Sequence, residues 1–375
     1  MFTDQPFSRR NLLTLALAGG ASGLVSAGRV GRLAPSSPKL LAEPWPEAEA
    51  MFKKDPKWIG GDSAYSIDLG GGRVLWLFGD SFIANTAARS RSDSVMVRNC
   101  IAIQTGYDPT TASMKYHWNE TGTRPSSFFG APTASTWYWP GDGVRIGSRL
   151  ILFLNELKAV SNGLGFEGVG WTAVAIENPQ ADPSKWVVTK LKTEQQFGVT
   201  LGAASLVDRG YLYAFSAGLL NQVPTYLARW PISAIAANTL TGTEWFAGRR
   251  GWLTADKINA PTAVASVLQS EFTVFPTKTP APFVLIQTSG FGGATLAYET
   301  AHSLSGPYSG AQTFYLPPER TEPKIMIYSA KMHPEQSAPG FDVVATYCTN
   351  SLNFPTLVKD MSLYFPRFVR AKWTK

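Results

Sequence analysis

One pattern recurs along this chain and limits its folds more than any other. A polar or glycine-rich entry leads into an apolar strand, a tight turn and a second apolar strand. It runs first as Gly60–Leu69, turn Gly70-Gly71-Gly72, then Arg73–Asp80. The second copy is Trp139–Ile146, turn Gly147-Ser148, Arg149–Leu154, and the third is Gly202–Val207, turn Asp208-Arg209-Gly210, Tyr211–Phe215. The fourth reads Pro261–Val267 then Glu271–Phe275, with Phe283–Ile286 as a continuation, and the fifth Lys324–Lys331 then Phe341–Tyr347. Five hairpins at intervals of roughly 60–80 residues predict an all-β fold of five four-stranded sheets around one axis, a five-bladed β-propeller. A pair of β-sandwiches is the competing arrangement. The first hairpin is apolar on both faces, with Tyr65, Ile67, Leu75 and Leu77 on one and Val74, Trp76 and Phe78 on the other. A strand buried on both sides suits sheets stacked against neighbouring sheets. The last strand, Tyr364–Val369, is expected beside the first blade, where it would close the ring and cover the sheet edges.

Composition agrees with many short strands. Only 16% of residues are charged, while Gly (34), Pro (26) and aromatics (12%) are abundant. The net charge of +7 is dispersed, with no dense basic run beyond Arg249-Arg250, which argues against a nucleic-acid partner.

The first hairpin also carries an aspartate at each foot. If Leu69 faces Arg73, facing residues bring Asp62 opposite Asp80, with β-carbons roughly 4.5–5.5 Å apart. Two acids that close repel, and the pKa of one rises. A raised acid beside an ionised one is the equipment of glycoside hydrolysis. The alternative is a pair of solvated aspartates capping strand ends. Asp142, in Gly141-Asp142, repeats the Gly61-Asp62 pattern in the second blade and is expected at the same mouth of the ring, tuning the pair or binding sugar. Trp137, Tyr138 and Trp139 precede it and offer flat faces for a sugar platform. Blade packing is the competing role for the three aromatics. His333, in the loop after a fifth-blade strand, is a candidate for a sugar hydroxyl, with a satisfied structural histidine as the alternative. No phosphate loop, zinc helix or nucleophile elbow is present, and the three histidines are too scattered for a metal centre. No cofactor is implied.

The N-terminus reads as an address. Arg9-Arg10 precede a short, weakly apolar stretch ending at Val25-Ser26-Ala27, the pattern of a twin-arginine export signal over residues 1–27. Residues 28–55 are rich in Pro, Ala and Ser and read as a linker, leaving 56–375 for the propeller. The product is then expected outside the cytoplasm, in the periplasm or cell envelope or secreted, with the twin-arginine machinery as an export partner and no integral membrane segment in the mature chain. Cys100 and Cys348 could bridge in an oxidising compartment or stay as two buried thiols.

Trp58–Asp62, Trp76–Phe82, Tyr138–Gly143, Ala330–Glu335 and Tyr364–Val369 together resemble the domain of unknown function 4185 group, associated with glycoside hydrolase family 183. The resemblance covers nearly all of the chain beyond residue 56. It implies a five-bladed propeller and an endo-acting D-arabinofuranosidase. The implied partner is the polysaccharide substrate, mycobacterial-type D-arabinan in arabinogalactan and lipoarabinomannan. The family's acidic pair falls on Asp62 and Asp80. A non-catalytic glycan-binding propeller and a propeller glycosidase with another furanoside substrate are the other two readings.

Overall fold

A computed structural model describes residues 38–217, 224–267, 269–278, 280–290 and 294–374. The export signal expected over residues 1–27 lies outside them.

Among the described residues five antiparallel sheets form blades in ring order, with smaller two- and three-stranded pairings between them. Blade 1 runs Tyr65–Gly70, Arg73–Phe78, Cys100–Thr105, Ser113–His117, and blade 2 runs Thr136–Ile146, Arg149–Ala159, Phe166–Ile176, Val188–Lys190. Blade 3 is built on Thr200–Asp208 and Tyr211–Ala217, and blade 4 on Phe272–Pro276 and Phe283–Ser289. Blade 5 is Ile325–Met332, Val343–Ser351, Arg367–Trp373 and, outermost, Leu40–Pro44. Every seam between blades holds its own apolar core. The two faces read from the first hairpin fall in different seams. Tyr65, Ile67, Leu75 and Leu77 pack on blade 2, and Val74, Trp76 and Phe78 pack on blade 5. The remaining seams hold Phe153 with Trp230, Phe215 with Phe272, and Ile286 with Tyr347. Five filled seams make a closed ring, as the hairpin spacing predicts.

Three expectations are corrected and one is made more specific. First, residues 40–53 are not linker. Leu40–Pro44 pairs with Arg367–Trp373 as the outer strand of blade 5, and Pro46–Lys53 is a helix with proline at its start. Trp45, Met51 and Phe52 are buried against blades 5 and 1, so apolar burial outweighs the proline-rich composition. Second, the strand Arg367–Trp373 is the third strand of blade 5, and from there Phe368 packs on Trp76 of blade 1, the neighbour expected for the closing strand. Third, the inner strand of blade 4 is Phe272–Pro276, not Pro261–Val267, of which only Ala265–Ser266 is strand, in a separate two-stranded pairing. Fourth, the first turn is shorter than three residues. Gly70 faces Arg73 and the slack is taken up at Leu69. Gly70, Gly71 and Gly72 all have positive φ, which glycine alone adopts without cost.

Of the two states open to the cysteines, the structure shows free, buried thiols at Cys100 and Cys348. Among the described residues no helix is long and apolar enough to cross a membrane.

Candidate active site

The register of the first hairpin is the one read from the sequence. Tyr65 faces Leu77, Asp68 faces Val74, and beyond the strand ends Gly61 faces Ser81. Asp62 and Asp80 lie between those paired stretches, where both strands leave the ladder. Ser63 and Ala64 follow Asp62 with φ of 64° and 55°, a left-handed pair that interrupts the strand between Gly61 and Tyr65. The Asp62 carbonyl accepts from the Gly79 N–H at 3.2 Å. A β-carbon on Gly79 would come within 2.6 Å of Asp62 Oδ1, so glycine is what lets the two feet close.

The two carboxyls have different surroundings. Asp62 Oδ2 accepts from the hydroxyls of Tyr328, at 2.8 Å, and Tyr364, at 3.0 Å, and among the described residues no cation pairs with it. Burial first, then the charges of Asp80 and Glu271, push its pKa up to about 8, against the pull of the two hydroxyls. Asp80 accepts from Trp139 Nε1 at 2.9 Å and pairs with Arg98 at 3.1 Å. Burial raises it too, but the Arg98 guanidinium and the indole N–H oppose that rise. The two carboxyls are therefore unequal: Asp62 meets only hydroxyl donors and is raised to about 8, while at Asp80 a cation and an indole N–H oppose the same burial.

Two segments fix this geometry. Tyr364, with φ of 63°, accepts through its carbonyl from Gly61 N–H at 2.8 Å. Arg91, buried, donates to the carbonyls of Ile59 (3.1 Å), Leu357 (2.7 Å), Asp360 (2.9 Å) and Leu363 (2.5 Å). It thereby staples the Leu357–Leu363 stretch and Tyr364 to the strand that leads into Asp62. Gly60, with φ of 133°, is required there: a β-carbon would meet the Tyr364 carbonyl at 2.6 Å.

The other sequence candidates separate. Trp139 is partly exposed and joins the pair. Trp137 is buried beneath the Arg98 guanidinium, 4.3 Å from its ring. Tyr138 is largely buried in the seam between blades 1 and 2, where it lines a groove that neither aspartate reaches. Asp142 sits in a strand bulge that turns it inward, 7% exposed. Its oxygens accept from the N–H of Gly143 (2.8 Å) and of Ser205 (2.6 Å), tying blade 2 to blade 3, and burial raises it to about 7. With both oxygens engaged it is removed from the groups that could touch sugar. His333 is also buried, its nitrogens 2.6 Å from Ser66 Oγ and 2.7 Å from Thr346 Oγ1; burial lowers it to about 3. It is a structural histidine. Among the described residues no group of three or more His, Cys, Asp or Glu side chains could hold a metal ion. A groove of about 400 Å³ lies elsewhere, between blades 1 and 2, lined by Trp118, Phe128 and Trp186 among others and by neither aspartate.

Sequence reading missed Arg98, Tyr328, Tyr364, Lys331 and Glu271. Lys331 is fully buried at the hub. Its ammonium donates to the Ser63 carbonyl (2.6 Å), to Glu271 Oε1 (3.0 Å) and to Ser329 Oγ, and lies 4.2 Å from the centre of the Tyr65 ring.

The fold and the carboxyl pair define a five-bladed propeller with a two-aspartate hub. The chain belongs to a family described as a domain of unknown function, DUF5005, whose model matches residues 47–373. That family is not the one its motifs resemble. No curated protein matches the chain. Among solved structures it is similar to a protein of Bacteroides ovatus ATCC 8483 provisionally described as a hydrolase. That likeness has a TM-score of 0.71 at 18% identity over 91% of this chain and 93% of that one. It is also similar to a xylan beta-1,4-xylosidase from Bacillus halodurans C-125, with a TM-score of 0.50 at 10% identity, over 85% of this chain and 54% of that one. At these identities the likeness is one of fold.

Proposed function

We propose that this protein is an exported glycoside hydrolase that cleaves D-arabinofuranosyl linkages in cell-envelope D-arabinan, the glycan of arabinogalactan and lipoarabinomannan. The observation that carries the reading is the asymmetric pair: Asp62 is held by two tyrosine hydroxyls and raised to about 8, and Asp80 beside it is engaged by the Arg98 guanidinium and the Trp139 N–H, which oppose the effect of its burial. In the proposed reaction Asp62 protonates the leaving oxygen of the glycosidic bond. Asp80 attacks the anomeric carbon or takes a proton from the attacking water. The hydroxyls of Tyr328 and Tyr364 hold one oxygen of Asp62 and leave the other for the substrate.

The likeness to the Bacillus halodurans xylosidase is one of architecture; it supports the choice of glycan chemistry on this fold without naming the sugar. The sugar comes from the motif resemblance, and export from the Arg9-Arg10 segment. The test is incubation of the protein lacking residues 1–27 with mycobacterial-type arabinogalactan, with chromatography of what is released. A ladder of arabinose oligomers is expected, absent in Asp62→Asn and in Asp80→Asn. Retained binding without release would replace the hydrolase reading with that of a glycan-binding propeller.

A further inference from the structure

We infer that Glu271 and Lys331 form a charge pair that positions Asp62 from across the hub, so that two other blades govern the acid of blade 1. The inference rests on the assignment of Asp62 above as the proton-bearing member of the pair. The contacts are continuous. Glu271, at the head of the inner strand of blade 4, meets Lys331 of blade 5 at 3.0 Å. Lys331 meets the carbonyl of Ser63, the residue after Asp62, at 2.6 Å. Ser329, itself at φ 61°, donates its hydroxyl to the same carbonyl at 2.8 Å. The left-handed Ser63 is therefore held by two donors through its carbonyl oxygen. The backbone directly after Asp62 is thereby fixed by blade 5.

All three ammonium protons are committed, and the opposite side of the charge is covered by the Tyr65 ring, whose hydroxyl reaches the Ala203 carbonyl of blade 3 at 3.0 Å. A fully buried ammonium needs a carboxylate, and Glu271 is the only carboxylate in contact with it among the described residues. Glu271 is thus fixed within reach of the Asp62 charge while remaining partly exposed, with its side chain 22% accessible. The groups facing Asp62 are then Tyr328 from blade 5, Tyr364 from the stapled segment, Asp80 from blade 1 and Glu271 from blade 4. Arg98 faces Asp80, and Lys331 also faces Asp142. Glu271 is the one anion in this set that comes from outside the first hairpin. Its charge adds to burial and to Asp80 in raising Asp62.

The experiment reads where Asp62 titrates, in a way that does not depend on activity. The difference in unfolding free energy between proteins with Asp62 and with Asp62→Asn is followed from pH 4 to 9; it levels off at the pKa of Asp62 in the fold. In otherwise unaltered protein the bend is expected at about pH 8. On a Glu271→Gln background it is expected lower by roughly one pH unit, because an anion is removed and a cation is left. Glu271→Asp, which keeps the charge, restores it. If Glu271→Gln alone does not fold, the double variant Glu271→Gln/Lys331→Met leaves no unpaired charge and is expected to move the bend in the same direction by less. An unmoved bend in a folded variant overturns the inference. The alkaline limb of arabinan hydrolysis is measured in parallel. If no arabinan is cut by any of these proteins, the hydrolase reading falls, while the bend still decides the role of Glu271.

Discussion

Asp62→Asn should make the protein more stable while disabling it, and the gain should grow with pH. The folded pKa of about 8 stands some 4 units above the ordinary aspartate value of 3.8. Below pH 3.8 the carboxyl is protonated whether the chain is folded or not, and it contributes nothing to the pH dependence. Above that, the unfolded chain releases its proton and the folded chain keeps it, so stability is lost as pH rises, until about pH 8. The slope is about 1.4 kcal/mol per pH unit, which reaches about 4 kcal/mol by pH 7. Asparagine keeps an oxygen for Tyr328 and Tyr364 and has no proton to lose. Asp142, Glu299 and Glu335, each raised by burial to about 7, add slopes of the same sign. Subtracting one protein's curve from the other's isolates Asp62. Urea unfolding of both proteins at pH 4.5, 6 and 7.5 should show the gap widening by roughly 4 kcal/mol across that range. A constant gap would mean that Asp62 is ionised in the fold, and the assignment of the acid would be refuted.

Arg98→Ala removes the cation that opposes the burial of Asp80. The acid limb of kcat/KM should move to higher pH, with activity down at least about tenfold; an unmoved limb would detach Arg98 from Asp80. Arg91→Met leaves four carbonyl contacts of the staple without their donor. A loss of about 3 kcal/mol in unfolding free energy is expected, together with a fall in kcat as Tyr364 leaves Asp62. Equal stability by urea titration would show that the staple is dispensable. Removal of residues 1–45 strips blade 5 of its outer strand and exposes the edge at Arg367–Trp373. The expected outcome is aggregation or a single unfolding transition shifted to lower urea. A wild-type midpoint would mean that the strand does not close the ring.

The fold was legible because a propeller writes its topology locally. Alternating apolar residues in Tyr65–Leu69 and Arg73–Phe78 assign each side chain to a seam, and the tight glycine turn fixes the register. Asp62 and Asp80 were legible for the same reason, being the two feet of one hairpin. What was not legible was whatever depends on two blades meeting. Asp142 reads like Asp62, but the backbone of blade 3 supplies the Ser205 N–H that occupies it. His333 reads like a loop ligand until Ser66 of blade 1 and Thr346 of blade 5 satisfy both its nitrogens.

Glu271 shows how a small error in the repeat conceals chemistry. With the fourth hairpin begun at Pro261, Glu271 is the entry to a second strand and carries no signal. With the inner strand at Phe272–Pro276, it stands at the head of that strand, where blade 1 carries Asp62 near the head of Tyr65–Gly70. Lys331 left a trace as well, a lysine inside the apolar run Ile325–Met332, where a cation is tolerated only beside an acid. The two are 60 residues apart in the chain and 3.0 Å apart at the hub. The packing of blade 4 on blade 5 joins them, and closure of the ring then brings Lys331 to the Ser63 carbonyl of blade 1, which is why the arrangement could be found in the structure and not in the spacing.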